Sequence, residues 1–112
     1  PTPDELGELK RLINEAMDAG MMGWSCQRLG AHSIQADFDG TPMPTDRVSA
    51  ETLFAFADVL RERGEGFIEI INATDGDPVR NAKPDDRRVV EEIARRSNRP
   101  VLFNAVLAMD DP

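Results

Sequence analysis

One cysteine, Cys26, stands alone in 112 residues, so neither an internal disulfide nor an all-cysteine metal site is available. Positive charge is scarce as well. Thirteen Lys and Arg face twenty-one Asp and Glu, and a net charge of -8 argues against nucleic acid, whose phosphates are bound by clustered cations. The pairs Arg87-Arg88 and Arg95-Arg96 sit beside Asp85-Asp86 and Glu91-Glu92, the pattern of a solvated helix face laced with ion pairs. No apolar run approaches the ~20 residues that span a bilayer. The opening residues 1–5, Pro-Thr-Pro-Asp-Glu, are polar and acidic, unlike a signal peptide. The expectation is cytoplasmic residence, with no nucleic acid and no membrane. A chain that lacks an initiator Met and stops at Asp110, Asp111 and Pro112, just after a strand-like run, reads as cut at both ends.

Several signatures of chemistry are missing too. No Gly-x-Gly-x-x-Gly turn supports a nucleotide. Ser25 lies in Gly-Trp-Ser-Cys-Gln (23–27), not in a Gly-x-Ser-x-Gly elbow, and no histidine stands at a suitable spacing, so a serine hydrolase is poorly supported. Asn72, Thr74, Asp75, Gly76 and Asp77 form a polar run without the glutamate that closes an EF-hand loop; a turn is the simpler account.

What is present is a unit repeated three times. Thr2, Pro3 and Glu5 predict a capped helix start, and Leu6, Leu9, Leu12, Ile13, Ala16 and Met17 form its apolar stripe up to Gly20. Residues 21–26 then read as a short apolar strand. Ser49 opens a second helix carrying Leu53, Phe54, Phe56, Ala57, Val59 and Leu60; Gly64 stops it, and 66–71 is the second strand. A third helix runs from about Pro84 to Ser97-Asn98, and Pro100 forbids its continuation into the strand at 101–107. Short helix-to-strand turns alternate with long strand-to-helix loops (about 27–48 and 72–83). This is the pattern of an α/β protein with a parallel sheet and a site at the strand ends. Three strands covered by helices on one side would leave raw edges, which favours a partial (β/α)8 TIM-type barrel. A doubly wound parallel sheet fits the same pattern.

With these residues in view, the chain resembles the D-aminoacylase-like (N-acyl-D-amino-acid deacylase) branch of the amidohydrolase superfamily. The resemblance rests on residues 16–25 (Ala-Met-Asp-Ala-Gly-Met-Met-Gly-Trp-Ser), similar to that family's glycine turn and "GFST" strand. Arg28, His32 and Asp39-Gly-Thr-Pro-Met-Pro (39–44) are similar to its "SR…H…DG-x-P-x-P" loop. Residues 51–64 resemble its next helix, and 99–104 a later strand. The likeness spans nearly the whole chain in one order, and its segments are specific only in combination. It implies that residues 1–112 are a single segment of a larger metal-dependent hydrolase barrel, supplying roughly the fourth to sixth strands. It implies hydrolysis of a C–N (amide) bond in a small N-acyl substrate by water activated on zinc or another divalent metal.

The departures are as informative. The family keeps ligand histidines at the ends of the fifth and sixth strands, where this chain reads Ile-Glu-Ile-Ile-Asn-Ala-Thr (68–74) and Leu-Phe-Asn-Ala-Val (102–106). The metal ligands are therefore expected mostly outside this chain, and the chain alone is expected to be inactive.

Six residues are singled out. Glu69, mid-strand, is either a catalytic carboxylate facing the barrel interior or one half of a packed ion pair. Ser25, Arg28 and His32 would shape the substrate pocket; the plainer account of His32 is a solvated loop residue. Asn104 would line the interior, and Cys26 reads as a buried, inert thiol. The rival function is a non-catalytic (β/α) subunit or scaffold segment that assembles with a companion chain.

Overall fold

Thr2 and Glu5 form a reciprocal capping box: the Glu5 amide donates to Thr2 Oγ1 at 3.2 Å and the Thr2 amide to Glu5 Oε2 at 2.7 Å. Helix α1 (Pro3–Asp18) starts there in the computed structural model, which describes residues 1–33, 35–73 and 84–103. Strand β1 (Gly23–Arg28) follows, then a loop containing one 3-10 turn (Pro44–Arg47) and helix α2 (Ala50–Arg63). Ser49 caps α2 by accepting from the Thr52 amide, and Gly64 ends it at φ 66°, a left-handed position that suits glycine. Strand β2 (Phe67–Asn72), helix α3 (Pro84–Ser97) and strand β3 (Val101–Phe103) complete the order. No described helix is long and apolar enough to cross a membrane.

The three strands form one parallel sheet in the order β1-β2-β3, the order of the chain itself. Sequential parallel strands joined by crossovers of one hand put every helix on the same face. The side chains obey this. Ile68, Ile70 and Asn72 are buried, and they alternate with Phe67, Glu69 and Ile71, which are only half-buried. Ile68 and Ile70 share one core with Met17 of α1, with Leu53, Ala57, Val59 and Leu60 of α2, and with Ile93 of α3. Trp24 meets Phe56 of α2 edge-to-face at 6.0 Å and donates its indole N–H to the Phe56 carbonyl. The opposite face carries Ser25, Gln27, Phe67, Glu69, Ile71 and Leu102, with Leu102 54% exposed; no described helix covers it. The α/β parallel architecture agrees with the sequence pattern, and the strand order is that of three consecutive β/α units, which a partial barrel and one half of a doubly wound sheet share.

Arginines tie the helical layer together. Arg96 of α3 makes a two-pronged pair with Asp58 of α2 (2.6 and 3.0 Å), and its guanidinium lies over Phe54. Arg63 of α2 reaches Asp18 of α1 at 2.8 Å. Arg88 pairs with Asp85 and Arg95 with Glu92 along α3, so the arginine-rich stretch is an ion-paired helix.

Two boundaries differ from the sequence pattern. Met21 and Met22 belong to the turn before β1 and are 59% and 70% exposed; β1 begins at Gly23 and continues through the polar Gln27 and Arg28. Asn72, expected in a loop, is the last residue of β2 and is fully buried. The run 74–77, Asn104 and the remainder of the expected third strand lie outside the described residues.

Gly23 begins β1 at φ 141°, and a Cβ there would come 1.8 Å from the Phe67 carbonyl oxygen of β2. Gly23→Ala is expected to lower unfolding free energy by about 3 kcal/mol, through backbone strain and overpacking combined. Urea unfolding of the two proteins measures it, and a difference under ~0.5 kcal/mol contradicts the close approach.

Candidate functional site at the strand ends

The parallel register sets Ser25 of β1 opposite Glu69 of β2, and Glu69 opposite Leu102 of β3, in one row on the uncovered face. Toward the strand ends, Gln27 lies opposite Ile71. Together with Met43 and Thr45 from the loop after β1, Ser25, Gln27, Glu69 and Ile71 line a pocket of about 400 Å³. A hydroxyl, an amide and a carboxylate thus share one concave surface with aliphatic neighbours, a composition typical of a small-molecule site.

The loop reaches this position because Asp46 holds it there. Asp46 is buried, and its carboxylate accepts from the Leu29 amide, the Met43 amide and the Gln27 side chain, each at 3.0 Å. Its own carbonyl accepts from Gly30 at 2.9 Å. The Gln27 amide donates further to the Gln35 carbonyl, so one side chain at the end of β1 clamps two parts of the loop. Buried carboxylates with several donors are costly to leave unpaired, and this one is well supplied.

Behind the sheet a second polar cluster fixes where β1, β2 and α3 meet. Arg28 donates to the Val48 carbonyl at 2.8 Å and to Asn72 Oδ1 at 3.1 Å, and it lies 3.8 Å from the buried Asp86 carboxylate. Asn72 donates in turn to the Asp86 carbonyl at 2.7 Å. Burial raises the Cys26 thiol to about 11; Arg28 opposes this shift and Asp46 adds to it. That thiol is protonated near neutral pH, which makes it a poor nucleophile and a poor soft ligand.

The residues singled out in the sequence therefore separate. Ser25 and Glu69 come together on the uncovered face. Arg28 lies on the helix-covered face, engaged with Val48, Asn72 and Asp86. His32 is exposed in the turn after β1, and Asn104 lies outside the described residues. Sequence reasoning passed over Gln27, Thr45 and Asp46. Asp46 carries a faint local signal, an acidic residue in the first turn after Pro44, but its partners at Gln27 and Leu29 are set by the fold.

No group of three His, Cys, Asp or Glu side chains able to hold a metal occurs among the described residues. Glu69 and Cys26 are the residues of these types that line the pocket, and Cys26 also packs against the apolar core, where burial raises its thiol. These residues do not by themselves fit a metal centre. No protein-family model, curated protein or solved structure matches the chain.

Asp46→Ala removes a charged acceptor from two backbone amides and one side-chain amide. A loss of about 3 kcal/mol in unfolding free energy is expected, on the scale of hydrogen bonds to buried charges. The loop should also admit trypsin at Arg47 faster than in the parent. Unchanged stability together with an unchanged cleavage rate contradicts this role for Asp46.

Proposed function

We propose that this chain is one arc of a cytoplasmic (β/α)8 barrel related to the D-aminoacylase-like amidohydrolases, and that the complete barrel hydrolyses a C–N bond in a small N-acyl substrate. The observation that carries the reading is the row Ser25–Glu69 on the uncovered face of the parallel sheet, beneath the long loop that follows β1. The same pocket runs through Gln27 and Ile71 toward the carboxyl ends of the strands, where barrel enzymes keep their reacting groups. The similarity of residues 16–25 and of Arg28, His32 and 39–44 to the deacylase pattern supplies the reaction class.

Within this reading the chain's own residues bind and orient. Ser25 Oγ donates to a substrate carbonyl or carboxylate. Glu69 accepts from the substrate amide or holds a proton for the leaving nitrogen, the work of a positioned carboxylate. Met43 and Ile71 exclude water from the acyl side, and His32, carried on the loop, meets the substrate's outer end. Arg28 acts through position, keeping β1 and β2 level by its bond to Asn72. A zinc or other divalent ion belongs to the complete barrel in this proposal, with ligands beyond this arc.

A second reading, a non-catalytic (β/α) subunit joined to a companion chain, draws on one observation. The polar residue at the end of β2, Asn72, is engaged with Arg28 and Asp86 on the helix side. The deciding experiment is hydrolysis of N-acetyl-D-amino acids by the protein in its natural coding context, with and without added zinc. Turnover that falls about 100-fold or more in Glu69→Gln, at unchanged thermal stability, supports the hydrolase. Absence of turnover in the parent under both conditions supports the subunit.

A further inference from the structure

We infer that the pocket of about 400 Å³ at the strand ends selects a primary ammonium group on an aliphatic stem, and, resting on the proposed function for the ligand's being a substrate, that this substrate is a basic one. No Lys, Arg or His lines the pocket among the described residues. Glu69 is the charged side chain on its walls, and the other lining side chains are uncharged. The cations nearest in sequence lie elsewhere. Arg28 is on the helix-covered face, bonded to Val48 and Asn72 and 3.8 Å from Asp86, and His32 is exposed in the turn after β1. A carboxylate entering the pocket would give up water and meet no described cation.

Gln27 sharpens the selection because its amide has one workable orientation. Nε2 lies 3.1 Å from the Gln35 carbonyl and 3.0 Å from each carboxylate oxygen of Asp46. Three acceptors around one atom require the NH2 end there; a reversed amide would set Oε1 against them. Both amide hydrogens are thereby spent on the loop, and what Gln27 has left for a ligand is its carbonyl oxygen. Asp46 holds this arrangement fixed, since its buried carboxylate also accepts from the Leu29 and Met43 amides. The clamp that anchors the loop thus sets the polarity of the pocket. Gln27 accepts.

Glu69 accepts as well. A carboxylate has about four lone-pair positions, so a partner already on Glu69 leaves others for an incoming N–H. The hydroxyls of Ser25 and Thr45 serve as donor or acceptor. Two accepting groups, two adaptable hydroxyls and no described side chain that only donates match an ammonium, which has three donors and no acceptor. Met43 and Ile71 supply the apolar wall for its methylenes, as protein surfaces do for lysine stems. The net charge of -8 favours the approach of a cation over that of an anion. An N-acyl derivative of a lysine-like amino acid combines such a group with the amide of the proposed reaction.

The test is titration of the isotopically labelled 112-residue chain with n-butylammonium, 1-butanol and butyrate, three probes with one stem and different heads. Neutral pH keeps the amine protonated, and about 0.15 M salt screens diffuse attraction beyond ~8 Å. Expected are saturable amide shifts at Ser25, Gln27, Glu69 and Ile71, with n-butylammonium bound about tenfold or more tighter than either other probe. Glu69→Gln keeps the shape and removes the charge, and should reduce the preference over butanol to about threefold or less. The parent comparison decides by itself if that variant does not fold. Butyrate or butanol binding as tightly as the amine overturns the inference, as does an unchanged preference in a folded Glu69→Gln. Ammonium shifts of equal size at the exposed Asp4, Glu8 and Asp85 also overturn it, as does the absence of saturation below about 0.1 M. Hydrolysis plays no part in the readout. An inactive parent that discriminates removes the proposed function and keeps the ammonium site; an active parent that does not discriminate does the reverse.

Discussion

The register of β1 against β2 is the constraint from which the other features of this molecule follow. Gly23 lies so close to the Phe67 carbonyl that no side chain fits between them, and from that contact the two strands run level for six residues. A slip by one residue would turn every side chain of β1 to the other face. Trp24 and Cys26 would leave the core, Ser25 would enter it, and the polar row opposite Glu69 would be lost. At the far end Arg28, Asn72 and Asp86 hold the same alignment through hydrogen bonds and a buried ion pair. Van der Waals contact at one end and polar clamping at the other make the alternation of faces unambiguous.

That alternation divides the chemistry of the chain. The helix-covered face carries the apolar core, with polar groups only where they join elements to one another. The opposite face carries a hydroxyl, a carboxylate and an amide in an aliphatic setting, with the Asp46-anchored loop above them. Among the described residues the helical layer covers one face of the sheet only. In the proposed barrel the remainder of the ring covers the other.

Much of this was legible in the amino acids, wherever the determining partners lie close in sequence. The Thr2–Glu5 box, the Ser49 cap and the Gly64 stop each involve residues within a turn or so of one another, and each is found where the pattern placed it. The alternation of Phe67, Glu69 and Ile71 with Ile68 and Ile70 likewise needs only the two-residue period of a strand. The start of β1 was misjudged because Met21 and Met22 are apolar yet exposed in a turn, so hydrophobicity alone extended the strand backward.

The placement of Arg28 illustrates the complementary difficulty. If β1 ended at Cys26, Arg28 would belong to a loop free to turn toward Ser25. With the strand continuing to Arg28, three residues from Ser25, parity sends the two side chains to opposite faces. What extends the strand is Asn72, forty-four residues away, and no local pattern announces that bond. Asp46 was missed for the same reason, its donors being drawn from the end of β1 and from the turn at Met43.

Backbone nuclear Overhauser contacts between β1 and β2 in the isotopically labelled chain test the central claim most directly. The account predicts a parallel set that pairs Gly23 with Phe67, Ser25 with Glu69 and Gln27 with Ile71. A set displaced by one residue, placing Ser25 beside Ile68 or Ile70, or an antiparallel set, would contradict it.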